Sequence, residues 1–183
     1  RNFLKSSLYT GATIAWTARS WAAVKGANDS IRVGVVGFNG RGQSHISGYR
    51  KLAAEGVKIA AYCDVDQKVL DRQMASAAKE KEDAKPYRDI RKMLEGTQLD
   101  AVSIATPNHW HALAAVWAIQ AGKDVYCEKP CAISVADLRE MTDACRQHGV
   151  QFMDGVMFMH NHRLAAMRAV LDDGHSVGRV RRV

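Results

Sequence analysis

Short apolar runs alternate with amphipathic stretches from Asp29 onward. Ile31-Arg-Val-Gly-Val-Val-Gly37 is rich in β-branched residues and closes on glycine, the pattern of a strand buried on both faces. A helix is predicted over about 42–54, stopped by Gly56, followed by a second strand at Val57–Cys63 that ends on Asp64. Residues 65–81 read as a polar, alanine-rich helix, and a short helix is predicted over 89–95 after Pro86. Further strands are predicted at 101–105, 124–128 and 150–153. The segments between them are helical: 109–121 closes on Gly122, and a helix opening at Ser134 closes on Gly149, with Leu138, Met141 and Cys145 on one face. Strands separated by helices of this length predict an α/β fold, a Rossmann-type doubly wound parallel sheet.

Composition adds little to this picture, but the location of charge matters. The chain has 183 residues, 47% hydrophobic and 25% charged, which is ordinary for a globular domain. Its net charge of +7 comes largely from Arg1, Lys5, Arg19 and Lys25 in the acid-free stretch 1–28, and from Arg179, Arg181 and Arg182. The centre is near neutral and has no basic face interleaved with aromatics, which argues against nucleic acid as a partner. Cys63, Cys127, Cys131 and Cys145 make no CxxC pair and no Cys/His zinc spacing, so neither a metal nor a disulfide framework is expected.

Arg1-Asn-Phe-Leu-Lys5 precedes thirteen uncharged residues, Ser6 to Ala18, a run too short to span a bilayer. It has the basic, apolar and small-residue zones of a secretory signal, with Ser20-Trp21-Ala22 a candidate cleavage site. Residues 1–28 are therefore expected to export the protein to the periplasm, in the manner of a twin-arginine signal whose first arginine would precede residue 1. An ordinary N-terminal helix is the competing reading.

Gly37-Phe38-Asn39-Gly40-Arg41-Gly42 lies where the first strand turns into a helix. Chemistry that brings a pyrophosphate onto helix N-terminal amides needs a backbone without side chains in the way. The common G-x-G-x-x-G pattern would put glycine at 39; Asn tolerates a left-handed backbone there. Asp64 stands 22 residues after Gly42 at the end of the next strand, where a carboxylate accepts hydrogen bonds from ribose hydroxyls. Asp64 is equally suited to cap the following helix. As a ribose ligand it disfavours a 2′-phosphate and so favours NAD over NADP. The carboxyl ends of later strands, Thr106-Pro107-Asn108 and Glu128-Lys129-Pro130, face the same crevice. Lys129 there can reach cofactor and substrate, or be a solvated surface residue.

Val33-Gly-Val-Val-Gly-Phe-Asn-Gly-Arg-Gly42, Asp64-Val-Asp66, Thr106-Pro-Asn-His-Trp-His111 and Ala121-Gly-Lys-Asp-Val-Tyr-Cys-Glu-Lys-Pro130 together resemble the glucose-fructose oxidoreductase/inositol dehydrogenase (Gfo/Idh/MocA) family from about Ile31 to Val183. The resemblance implies a Rossmann domain over 29–154, then at 155–183 a crossover and the first part of a truncated C-terminal α/β substrate domain. It implies Lys129 as a catalytic-site residue, and Gly37, Phe38, Asn39, Gly40, Arg41, Gly42, Asp64, Thr106, Pro107, Asn108, His111, Glu128 and Lys129 as the cofactor site. His160 and Asn161 correspond to the substrate-facing crossover. His109 suits a helix start, and His45 packing or capping within the first helix. Asp154 is either structural or crevice-facing. The family's catalytic histidine would lie beyond Val183, as would the sheet through which homo-oligomers form.

The implied activity is hydride transfer between NAD and a sugar or polyol, with this segment alone inactive. Two alternatives stand: NAD-dependent glycoside hydrolysis through transient oxidation, and a non-catalytic dinucleotide-binding module.

Overall fold

A computed structural model describes residues 30–156 and 163–178. Six strands form one sheet: β1 (Ile31–Val36), β2 (Val57–Cys63), β3 (Lys85–Tyr87), β4 (Ala101–Ile104), β5 (Asp124–Cys127) and β6 (Phe152–Asp154). Their order is β3-β2-β1-β4-β5-β6, and every pairing is parallel. The helices are α1 (Gly42–Lys51), α2 (Gln67–Lys79), α3 (Ile90–Gly96), α4 (His111–Gln120), α5 (Val135–His148) and α6 (Arg163–Asp172).

The alternation of β1 explains why the sheet is covered on both sides. Val33 and Val35 point to one face and join Ile46 of α1 and Val69, Leu70 and Ala77 of α2. Val36 points to the other and joins Met93 of α3, Ala114, Ala115, Ala118 and Ile119 of α4, and Met141 of α5. β2 keeps step with this alternation through one extra residue: Val33 pairs with Ile59 but Gly34 pairs with Ala61, a bulge at Ala60. Gly34 has no room for a side chain, since a Cβ there would stand 2.8 Å from the Leu99 side chain.

The predicted doubly wound sheet is therefore the observed fold. Element ends differ where local chemistry overrides periodicity. The first helix stops at Lys51, and Ala53–Glu55 tightens into a 3-10 turn before left-handed Gly56. Asn108–Trp110 is likewise a 3-10 turn ahead of α4. Ser134 caps α5 by accepting the Asp137 amide at 3.1 Å, as its sequence predicts, but Leu138 is exposed while Met141 is buried. β3 carries no apolar alternation to announce it: Lys85 and Pro86 are exposed, and the strand exists by pairing with Ala61–Cys63. Among the described residues no helix is long and apolar enough to cross a membrane.

In this order the chain leaves β1 toward β2 on one side and reaches β4 on the other. The crevice at the carboxyl ends of β1 and β4 is the topological switch point, where open α/β sheets place ligands.

Candidate dinucleotide-binding site

Each glycine of the turn after β1 does a different job. Gly37 has φ +75°, and a Cβ would meet the Thr106 amide nitrogen at 2.8 Å and the Ala105 carbonyl at 2.9 Å. A Cβ on Gly42 would collide with the carbonyl oxygen of Gly37, so α1 can start tight against the strand only with glycine here. Gly40 has nothing within 4 Å of its Cβ position, and its backbone faces open space. The side-chain-free approach expected at position 39 is thus supplied one residue later. Asn39 does not take up the left-handed backbone its sequence position suggested, since Lys81 is the non-glycine residue with positive φ among those described. Its Oδ1 instead accepts from Arg72 Nη2 at 3.2 Å. No side chain caps α1 and no acid lies in its first turn, which suits its amide end to an anion.

Asp64 and Asp66 divide the two tasks that the sequence left open for Asp64. Asp66 caps α2, accepting the Lys68 amide at 2.8 Å. Asp64 is held by the Phe38 amide on Oδ2 at 3.1 Å and the Asp66 amide on Oδ1 at 3.0 Å. Two backbone donors fix the carboxylate beside the glycine turn while each oxygen retains a lone pair.

A cavity of about 540 Å³ opens at this point. Of the sequence-predicted residues, Gly37, Phe38, Asn39, Gly40, Arg41, Asp64, Thr106 and Pro107 line it, while Gly42, Asn108, His111, Glu128 and Lys129 stand outside its lining. Thr106 Oγ1 is buried with no hydrogen-bond partner. Sequence reasoning missed the far wall: Val65, Arg88, Arg91, Trp110 and Trp117, with the Arg91 guanidinium 5.3 Å from the Trp117 ring centroid. The signal for Arg88 was its place directly after β3, a strand without a pattern. His160, Asn161 and residues 1–28 lie outside the described residues.

The ends of β4 and β5 are tied together by buried polar groups. His111, 1% exposed, sets Nδ1 2.7 Å from the Pro130 carbonyl and Nε2 2.7 Å from the Thr106 carbonyl. It reaches the crevice only through those two loops. Glu128, 5% exposed, accepts on Oε1 from Arg41 Nε and from His45 Nε2, each at 2.9 Å. Burial pushes the Glu128 carboxyl up, but the bonds from Arg41 and His45 outweigh it and hold it below the ordinary glutamate value. Lys129 is exposed, and its amide donates to Glu128 Oε2 at 3.3 Å. His45 is buried, as expected, but its ring ends in a polar network rather than apolar packing. Among the described residues no cluster of His, Cys, Asp or Glu could hold a metal ion.

A nicotinamide dinucleotide fits these residues. Gly40 and the uncapped α1 offer an open backbone to pyrophosphate, and Asp64 offers a carboxylate to ribose, with the unpartnered Thr106 hydroxyl at the end of β4 beside them. Fold and site thus define a dinucleotide-binding Rossmann domain. Residues 31–156 match the oxidoreductase family with an NAD-binding Rossmann fold, and the chain belongs to that Gfo/Idh/MocA family.

A glycosyl hydrolase family 109 protein from Shewanella sp. (strain W3-18-1) is 34% identical over 140 residues, which cover 71% of this chain and 29% of that protein. Inositol 2-dehydrogenase from Salmonella paratyphi B is 30% identical over 148 residues, 79% of this chain and 42% of that one. The crystal structure of the WlbA dehydrogenase from Bordetella pertussis in complex with NADH and UDP-GlcNAcA superposes with a TM-score of 0.71 at 28% identity, covering 79% of this chain and 43% of that one. The chain spans less than half the length of these relatives.

Proposed function

We propose that the whole protein is an oxidoreductase that transfers hydride between NAD and a secondary alcohol of a sugar or polyol. The observation that carries this reading is Asp64, clamped by the Phe38 and Asp66 amides beside the open backbone of Gly40. A carboxylate so held accepts ribose hydroxyls and repels a 2′-phosphate, which favours NAD over NADP. The relatives' names supply the substrate class: an inositol dehydrogenase and a dehydrogenase holding a nucleotide sugar.

Bound nicotinamide supplies the hydride chemistry. The chain's own residues bind and orient. The glycine turn holds the phosphates, and Thr106 and Pro107 line the crevice at the end of β4. Lys129, whose amide is anchored on Glu128, extends from the end of β5 and polarises the substrate hydroxyl or takes up its proton. The test is NADH formation from NAD across a panel of sugars and polyols. Lys129→Met should abolish turnover and leave NAD binding measurable. Normal turnover in that variant removes Lys129 from the mechanism.

A second reading rests on the glycosyl hydrolase family 109 relative. It assigns glycoside cleavage through transient oxidation, with NAD recycled. Aryl glycoside cleavage without net NADH would favour it over dehydrogenation. Neither activity in a protein that binds NADH would point to a dinucleotide-binding module. The segment 1–28 is proposed as an export signal, checked by finding the protein in the periplasm with that segment intact and outside it when deleted.

A further inference from the structure

We infer that His45 is a positioning residue of the dinucleotide site, acting through Glu128 on the Arg41 guanidinium of the phosphate turn; this rests on the dinucleotide reading above.

His45, 8% exposed, lies in α1 beneath the turn and touches no part of the crevice. Its Nε2 is 2.9 Å from Glu128 Oε1 and its Nδ1 is 2.9 Å from Ser103 Oγ, with Ser103 fully buried in β4. A carboxylate only accepts, so Nε2 carries the hydrogen toward Glu128, and Nδ1 pairs with the Ser103 hydroxyl. Both ring nitrogens of His45 and the Glu128 carboxylate thereby have partners. The Tyr126 ring closes the side, edge-on to the imidazole with centroids 5.1 Å apart.

The consequence falls on Arg41. Its Nε donates to the same Oε1 that His45 holds, and Arg41 lines the cavity beside Gly40. The bond to Oε1 restricts the rotamers of an arginine side chain that is 44% exposed. The ring of His45 holds Glu128 from below and so keeps that bond in place. The same carboxylate holds the Lys129 amide, so the phosphate turn and the lysine loop share one buried anchor. A cofactor bound at the turn is therefore set in register with Lys129.

The experiment measures affinities of the whole protein for NADH, ADP-ribose and adenosine. Saturable NADH binding by the wild type tests the dinucleotide reading itself, and its absence overturns that reading. His45→Leu keeps most of the volume and should weaken NADH and ADP-ribose roughly tenfold while leaving adenosine within about twofold, because the inference assigns Arg41 to the phosphates. His45→Gln can still donate to Glu128 and should restore NADH affinity to within about threefold. In the Arg41→Ala background, His45→Leu should add no further loss. Unchanged NADH affinity in His45→Leu, an equal loss for adenosine, or additive losses with Arg41→Ala would overturn the inference. Should His45→Leu not fold, Glu128→Gln carries the same comparisons with the same outcomes.

Discussion

The Phe38 amide donates to the Asp64 carboxylate at 3.1 Å, joining the glycine turn after β1 to the end of β2. A helix cap would have used Asp64 up locally, but Asp66 holds that role. Asp64 is thus free to do what its position at the switch point suits. Replacing it by Asn keeps the shape and removes the charge. Asp64→Asn should weaken NAD by about tenfold and narrow the gap to NADP, measured as Kd for both. An unchanged NAD/NADP ratio would place the ribose elsewhere.

Two glycines two residues apart in the turn region, Gly40 and Gly42, separate binding from folding. Gly42→Ala forces a Cβ into the Gly37 carbonyl and should cost at least about 2 kcal/mol of stability, read from denaturant unfolding. Gly40→Ala meets nothing in the protein, so its stability should stay within about 0.5 kcal/mol, apart from altered unfolded-chain entropy. NADH affinity should nevertheless fall by about tenfold or more, because the methyl stands where the phosphates approach. Full affinity in Gly40→Ala would contradict the placement.

Glu128 links pH to stability. Its folded carboxyl is held below the ordinary value of 4.5, so it contributes stability above that pH, and the contribution is lost as pH falls from 4.5 through the lower folded value. The stability difference between wild type and Glu128→Gln should accordingly shrink as pH falls below about 4.5. A difference that persists unchanged at pH 3 would mean that the ionised carboxylate is not what stabilises the fold.

The cysteines offer a check on burial. Burial pushes the Cys63 and Cys127 thiols up to about 12, so neither should be alkylated in the native protein at pH 8. Cys131 and Cys145 are partly buried and also raised, and should react slowly but first. Mass spectrometry after limited iodoacetamide treatment distinguishes them. Early labelling of Cys127 would show that the β5 end opens in solution.

How far the sequence spoke depended on whether a signal was local. β1, β2, β4 and β5 were legible because buried parallel strands are continuous apolar runs. The crevice residues Gly37 and Asp64 were legible because strand-end positions carry their meaning by spacing. β3 was not, because Lys85-Pro-Tyr87 becomes a strand only by pairing with β2. The far wall of the cavity follows β3 and shared its obscurity. Asn39 was misjudged because the left-handed residue of the turn is Gly37, two positions earlier, while the Asn39 side chain bonds Arg72, 33 residues away. His45 read as a packing residue because its partners, Ser103 and Glu128, lie 58 and 83 residues further along the chain.

The most direct test of the dinucleotide site is calorimetric titration of NADH into the wild-type protein and into Gly40→Ala, with thermal unfolding of both recorded beside it. The expected result is saturable binding near one NADH per chain in the wild type, displaced by ADP-ribose, and sharply weakened in a Gly40→Ala protein that unfolds at the wild-type temperature. Absence of saturable NADH binding by a folded wild type would contradict the assignment of the crevice between Gly40 and Asp64.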